Sequence, residues 1–219
     1  MESVVIYADY LSQPCRAVLI FCEIAKISYK FHEVRVIKKQ TLRDEYAKVS
    51  PSRTVPTMIH GDLILYESHA IIIYLIEKFK LKDNWYPNDI IKRALVNNYL
   101  HWHHMNLRLG CGWYVFNRWA GPMFYGGILK DLDVICNERR EDAFQVLERI
   151  LEKHKFVGRT DEVSVADIVC YCEIVQMLMV DIDLKGYPQL QIWFDGIGRI
   201  PEVQKVHKTF FRLLPRLKL

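Results

Sequence analysis

A chain of 219 residues, 51% hydrophobic and 26% charged, has the make-up of an ordinary globular protein, with material for one large domain or two small ones. Its net charge of +4 is spread along the chain without a basic block, which argues against nucleic acid as a partner. No apolar run approaches membrane-spanning length and the start, Met1-Glu2-Ser3, carries no apolar signal region, so a cytoplasmic protein without a membrane partner is expected.

The six cysteines, Cys15, Cys22, Cys111, Cys136, Cys170 and Cys172, form no CxxC pair and no zinc spacing, and reduced thiols are the economical reading. In chain order, Val4-Val5-Ile6-Tyr7 is β-branched and aromatic and predicts a buried strand. Leu11-Ser12-Gln13-Pro14-Cys15-Arg16 follows and opens a helix, with Pro14 in the first turn, where no amide partner is needed. Residues 29–36 alternate as a second strand, and residues 41–49 predict a short polar helix or turn. Val55-Pro56 leads a third strand, His60-Gly61-Asp62 a hairpin turn, and Leu63-Ile64-Leu65-Tyr66 a fourth strand. Residues 70–76 then form a helix with most of its surface apolar.

Residues 78–89 are polar apart from Trp85 and Tyr86 and predict a linker. Everything beyond it has a helical pattern. A helix or helix pair over 90–119 is expected to break at Gly110 and Gly112, and a loop is expected at Gly121-Pro122 and Gly126-Gly127. Helices follow over 128–154, from Ile168 to about Met179, from Pro188 and from Pro201. Ser164-Val165-Ala166-Asp167 is a capping-box variant with Asp in place of Glu or Gln. The prediction is an α/β domain over 1–78 followed by an all-α domain over 90–219.

Three features of the first domain converge. Ser12 lies at a helix N-terminus, among unpaired amides and the positive dipole end, where it can cap the helix or stabilise a bound thiolate. A cis bond at Val55-Pro56 would turn the Val55 backbone outward, free to pair with an extended peptide. Glu67-Ser68 begins a helix, where Ser68 and its amides suit a carboxylate and Glu67 an ammonium group. Together they describe a pocket for a short zwitterionic peptide whose thiol lies near Ser12.

Leu-Ser-Gln-Pro-Cys-Arg, the Val-Pro pair, Tyr-Glu-Ser-His-Ala-Ile, Trp-Tyr-Pro and Ser-Val-Ala-Asp, in this order and spacing, resemble a glutathione transferase. The first motif is similar to the theta class. The resemblance implies a thioredoxin-like domain followed by a helical bundle, a homodimer, and glutathione as co-substrate with no cofactor and no metal. It implies that Ser12 and Arg108 are catalytic, the hydroxyl holding the glutathione sulfur and the guanidinium reaching toward it. Gln13 would shape the site, Val55 would pair with the cysteinyl unit, and Glu67 and Ser68 would hold the γ-glutamyl end.

Two positions depart from the family. Thr41 stands where a histidine follows the glutamine matched by Gln40, and Thr54 where a lysine precedes Val-Pro. Both family residues serve the glycyl carboxylate, so Lys39, Thr41, Arg53 and Thr54 are its candidate partners here, and weakened glutathione affinity is an expectation. The sequence also ends soon after its last helix, without the extension that covers the site in some theta enzymes, and a more open pocket is expected.

Tyr7, placed where other classes carry a catalytic tyrosine, reads as a strand residue, and Tyr10 as a residue at the pocket border. Cys15 reads as packed rather than reactive, and His101, His103 and His104 as structural or solvent-facing. Among Trp113, Tyr114, Phe116, Trp119, Phe124 and Tyr125, core packing is the default role, with some walling an apolar pocket. The expected activity is conjugation of glutathione to small electrophiles such as alkyl halides, epoxides and activated sulfate esters, with reduction of organic hydroperoxides as a second activity. The rival reading is a non-catalytic binding or assembly module with a weakened glutathione site.

Overall fold

The computed structural model describes residues 3–217. Met1 and Glu2, part of the start expected to carry no signal region, and Lys218 and Leu219, at the end of the predicted helical domain, lie outside them. The first strand, β1 (Val4–Ala8), buries Val4, Ile6 and Ala8 on one face, as its alternation requires. It pairs in parallel with β2 (Tyr29–Glu33) and antiparallel with β3 (Thr57–His60), which pairs antiparallel with β4 (Leu63–Tyr66). The sheet order is β2-β1-β3-β4. β2 is shorter than the expected 29–36, because the chain turns through 3-10 segments at Val36–Lys38 and Gln40–Leu42. Residues 44–47 form the short helix α2 (Asp44–Ala47).

The helix α1 (Gln13–Ile24) is buried almost along its whole length. It packs on α3 (Ser68–Lys78), and on α8 (Val165–Gln176) and α10 (Pro201–Leu217) of the helical half. Loading a single helix from both halves explains why its sequence is apolar on nearly every side. The sheet with its helices, followed by a bundle, is the thioredoxin-like plus helical arrangement that the resemblance implies.

Residues 90–119 do not break at their glycines. They run as α4 (Ile90–His103), a π-helical segment (His104–Trp113) and α5 (Tyr114–Trp119). Gly110 and Gly112 instead admit neighbours. A Cβ at Gly110 would lie 2.5 Å from the Arg140 amide nitrogen on α7 (Lys130–Leu151). One at Gly112 would lie 2.8 Å from Glu173 Oε2 and 2.9 Å from Gln13 Nε2. The spacing rule took these glycines for helix breakers, whereas their job is close approach. Likewise Gly121-Pro122 opens a short helix, α6 (Gly121–Tyr125), and only Gly126, with φ 77°, ends it.

The capping box forms. Asp167 Oδ2 accepts the Ser164 amide at 2.9 Å and the Ser164 hydroxyl at 3.0 Å. Its Oδ1 accepts the Val157 amide and Trp193 Nε1, each at 2.9 Å, and so ties α8 to α9 (Pro188–Gly198). Met177, Met179 and Trp193 are buried in the bundle.

His207 on α10 is also buried, with Nδ1 2.9 Å from the Val203 carbonyl and no partner for Nε2 among the described residues. Burial, then the neighbouring Arg16 charge, push its pKa from 6.5 down to about 3. The unfolded chain holds this proton more tightly than the folded one. The stability of the neutral imidazole is therefore complete above about pH 6.5 and is lost as pH falls toward about 3. Urea unfolding followed over that window is expected to show His207→Gln with a flatter pH slope than wild type, by up to about 1.4 kcal/mol per pH unit. Equal slopes would remove His207 as the cause.

Candidate functional site

The loop between β1 and α1 is fixed by Asp9, which is 7% exposed. Its Oδ1 accepts the Leu11 amide at 2.9 Å, an Asx turn, and its Oδ2 accepts the Val36 amide at 2.9 Å. Ser12 follows as the N-cap residue of α1, yet its side chain makes no cap bond. The serine is thus in the capping position without its hydroxyl being consumed there. Its protein partner is the thiol of Cys15, which also accepts the Asp9 amide at 3.4 Å. Burial drives the Cys15 pKa up to about 12, so this thiol is a packed hydrogen-bonding group rather than a nucleophile.

Ser12 opens onto a cavity of about 280 Å³ with walls of two kinds. Gln13, Thr41, Arg53, Thr54 and Arg108 supply polar groups to its lining, and Val55, Trp113, Val115, Phe116 and Trp119 apolar ones. A second cavity of about 230 Å³ shares Gln13, Thr54, Val55 and Arg108 with it and continues to Glu67, Ser68, His69, His103 and His104. Ser12, Gln13, Thr41, Thr54, Val55, Glu67, Ser68 and Arg108 therefore line two adjoining cavities that draw on both halves and make one cleft, whereas Lys39 lines neither. The Val55–Pro56 bond is cis. Glu67, exposed and at φ 73°, sits in a region that only glycine adopts easily, and Ser68 behind it is 6% exposed.

The glycyl-carboxylate candidates do not all reach this cleft. Lys39 donates to the Met123 carbonyl at 3.1 Å and lies 5.0 Å over the Phe124 ring, away from the cavity wall. Thr41 is buried in the wall, and the Thr54 hydroxyl is 2.6 Å from that of Ser52. Arg53 donates to the Leu42 carbonyl at 2.7 Å and to Asp44 at 3.0 Å, an exposed pair that costs little to exchange. Tyr10, expected at the pocket border, packs on Phe31 with ring centroids 4.9 Å apart. Tyr7 stacks on His32 at 4.8 Å.

Sequence reasoning missed the residue that organises the floor, Glu173 of α8. It is 2% exposed and ionised, its pKa held below the usual carboxylate value by Arg108 and His103 against the cost of burial. Arg108 donates to its Oε1 at 2.5 Å, Gln13 donates to its Oε2 at 3.3 Å, and His103 Nε2 lies 3.6 Å from Oε1. The available signal was a carboxylate beyond the capping turn of a helix whose members, Asp167 and Gln176 apart, are otherwise apolar. Of the two roles expected of His103 and His104, structural or solvent-facing, the packing favours the structural one, His103 being buried and His104 half-buried. Their rings contact that of His69 at 5.1 and 4.6 Å, and burial lowers the pKa of His69 well below normal. Among the described residues, no group of three His, Cys, Asp or Glu side chains is arranged to hold a metal ion.

A helix N-terminus with a hydroxyl that makes no cap bond, a guanidinium and aromatic rings lining the same cavity can hold an anion and bring it to an uncharged molecule. Comparison with known proteins gives the arrangement a family. Residues 6–83 match the N-terminal domain model of glutathione S-transferases and residues 120–201 the C-terminal domain model. Glutathione S-transferase T1 of Arabidopsis thaliana is 32% identical, across 97% of this chain and 91% of its own length. Glutathione S-transferase theta-1 of Mus musculus is 35% identical, across 88% of this chain and 81% of its own length. Among solved structures, human glutathione transferase theta-2 in complex with glutathione and an unknown ligand has a TM-score of 0.89 at 28% identity, covering 98% of this chain and 90% of that one. The human theta-class enzyme in complex with the glutathione conjugate of 1-menaphthyl sulfate gives 0.88 at 28% identity, again over 98% and 90%. This chain is a transferase of the glutathione S-transferase family, theta class.

Proposed function

We propose that the cleft binds reduced glutathione, favours its thiolate at Ser12, and delivers that sulfur to small apolar electrophiles held against Trp113, Phe116 and Trp119. One observation carries the reading: the Ser12 hydroxyl, free of any cap bond, lines a cavity whose wall also holds Gln13 and Arg108 on the one hand and Trp113, Phe116 and Trp119 on the other. The γ-glutamyl end lies at Glu67 and Ser68, the cysteinyl unit pairs with the Val55 backbone, and Gln13 borders the sulfur. Thr41, Thr54 and a released Arg53 take the glycyl carboxylate.

The chemistry asked of the protein is modest. A free thiol has a pKa of about 8.5, so only a few per cent is ionised at neutral pH. Lowering it by about two units corresponds to about 3 kcal/mol, within reach of a charge-assisted hydroxyl bond, a helix dipole and Arg108 acting together. The thiolate then forms a carbon–sulfur bond while halide or sulfate departs, or while an epoxide C–O bond opens and its oxygen takes a proton. Exposed apolar residues on β4 (Leu63, Ile64, Tyr66) and along residues 90–105 (Ile90, Ile91, Met105) support a homodimer. No described helix is long and apolar enough to cross a membrane, and the reduced cysteines support a cytoplasmic setting.

The test is product formation from glutathione with an alkyl halide, an epoxide and 1-menaphthyl sulfate, read as the thioether by mass spectrometry. Cumene hydroperoxide, read as glutathione disulfide, tests the second activity. At least one thioether above the uncatalysed rate is expected. Specific glutathione binding without any thioether would favour the non-catalytic module instead, a reading to which the diverted Lys39 lends its support.

A further inference from the structure

Arg16 lies one helical turn after Ser12, its amide donating to the Ser12 carbonyl at 3.1 Å. It is 0% exposed. Its guanidinium donates to the Tyr10 carbonyl at 3.0 Å, the Cys172 carbonyl at 3.3 Å and Gln176 Oε1 at 2.6 Å, and stacks 4.3 Å over Phe210. Every one of these acceptors is neutral. Among the described residues no carboxylate forms an ion pair with it, and its Nε is buried without a partner. The charge of Glu173, already engaged by Arg108, acts on it only through space.

A buried charge without a counter-charge is costly, and a cation in the first turn of a helix stands at the wrong end of the dipole. What it can gain is an anion that arrives with the substrate. Gln176, the acceptor of its shortest bond, lines the same cavity as Ser12. The field already reaches that side of the helix, where it favours the ionised form of the Cys15 thiol that bonds Ser12.

We infer that Arg16 is a positioning charge for the proposed reaction, a buried cation behind the cleft floor whose counter-ion is the bound glutathione thiolate. This rests on the reading of the cleft as a glutathione site. The titratable groups facing Arg16 are Cys15 and Tyr10 near its own helix, Tyr171, Cys172 and Glu173 from α8, and His207 from α10. The cysteines and Tyr171 have their pKa values raised and His207 has its lowered, so near neutral pH they stay uncharged while Glu173 stays ionised.

The test is the pH titration of thiolate absorbance in saturating glutathione for wild type, Arg16→Lys and Arg16→Gln, with calorimetric glutathione binding alongside. Arg16→Lys is expected to keep the thiol pKa near wild type and Arg16→Gln to raise it by about one unit, a roughly threefold loss of thiolate near neutral pH. A wild-type pKa in a glutathione-binding Arg16→Gln overturns the inference, and so does an equal rise in both variants, which marks a packing role. Should Arg16→Gln fail to fold, Gln176→Glu decides, because it pairs the guanidinium with a carboxylate at the existing contact. A rise is expected there, and an unchanged value overturns the inference. Failure of wild type to bind glutathione at all would instead sink the underlying site reading.

Discussion

Ser12→Ala is expected to lower kcat for thioether formation by about a hundredfold while leaving the KM for glutathione within about threefold of wild type. The magnitude is that of removing one preorganised donor from a developing or resting anion. The split follows from position. The hydroxyl makes no cap bond, so its loss leaves α1 anchored as before through the Ser12 backbone, whose amide donates to Asp9 at 3.0 Å and whose carbonyl accepts Arg16 at 3.1 Å. On the proposed mode of binding, the peptide ends of glutathione are held by other residues, Val55, Glu67 and Ser68. Steady-state kinetics with one electrophile checks it. Wild-type kcat would return Ser12 to the role of a helix-start residue, and a large KM change with intact kcat would mean that it binds rather than activates.

Glu67→Gln is expected to do the opposite. Its exposed carboxylate loses no packing on substitution, but the ammonium of the γ-glutamyl unit loses its charge partner. A hydrogen bond to a charged group contributes about 1.5–3 kcal/mol, so glutathione affinity should fall about 10- to 100-fold with kcat at saturation within about threefold. Calorimetry gives the affinity and saturation kinetics the rate. Glu67 is exposed in the β4–α3 connection and holds its backbone at φ 73°. Glu67→Gly relaxes that backbone and removes the carboxylate together, so Gln is the cleaner probe. Unchanged affinity would move the γ-glutamyl end elsewhere.

Much of the site was legible because its parts are local. Ser12 with Pro14, Val55 with Pro56, and Glu67 with Ser68 each announce a backbone event within a few residues, and helix starts and strand ends are where sequence speaks most directly. The strands of the first half and the capping box at Ser164 were readable for the same reason. What escaped depends on contacts between distant segments. Gly110 and Gly112 look like breakers until α7 and α8 are set against them. Glu173 is an isolated carboxylate until Gln13, 160 positions earlier, donates to it. His103 reads as a structural or solvent-facing residue until α3 and α4 bring its ring against that of His69. Lys39 read as a binding candidate because sequence proximity to Gln40 says nothing of α6, which captures it.

The account as a whole turns on whether the cleft ionises a thiol. The most direct measurement is the thiolate absorbance of glutathione bound to the wild-type protein, followed from acid to alkaline pH at saturation. The prediction is an apparent pKa about two units below the free-thiol value of about 8.5. A bound thiol that titrates at its free value would contradict it, leaving a cleft that holds glutathione without activating it.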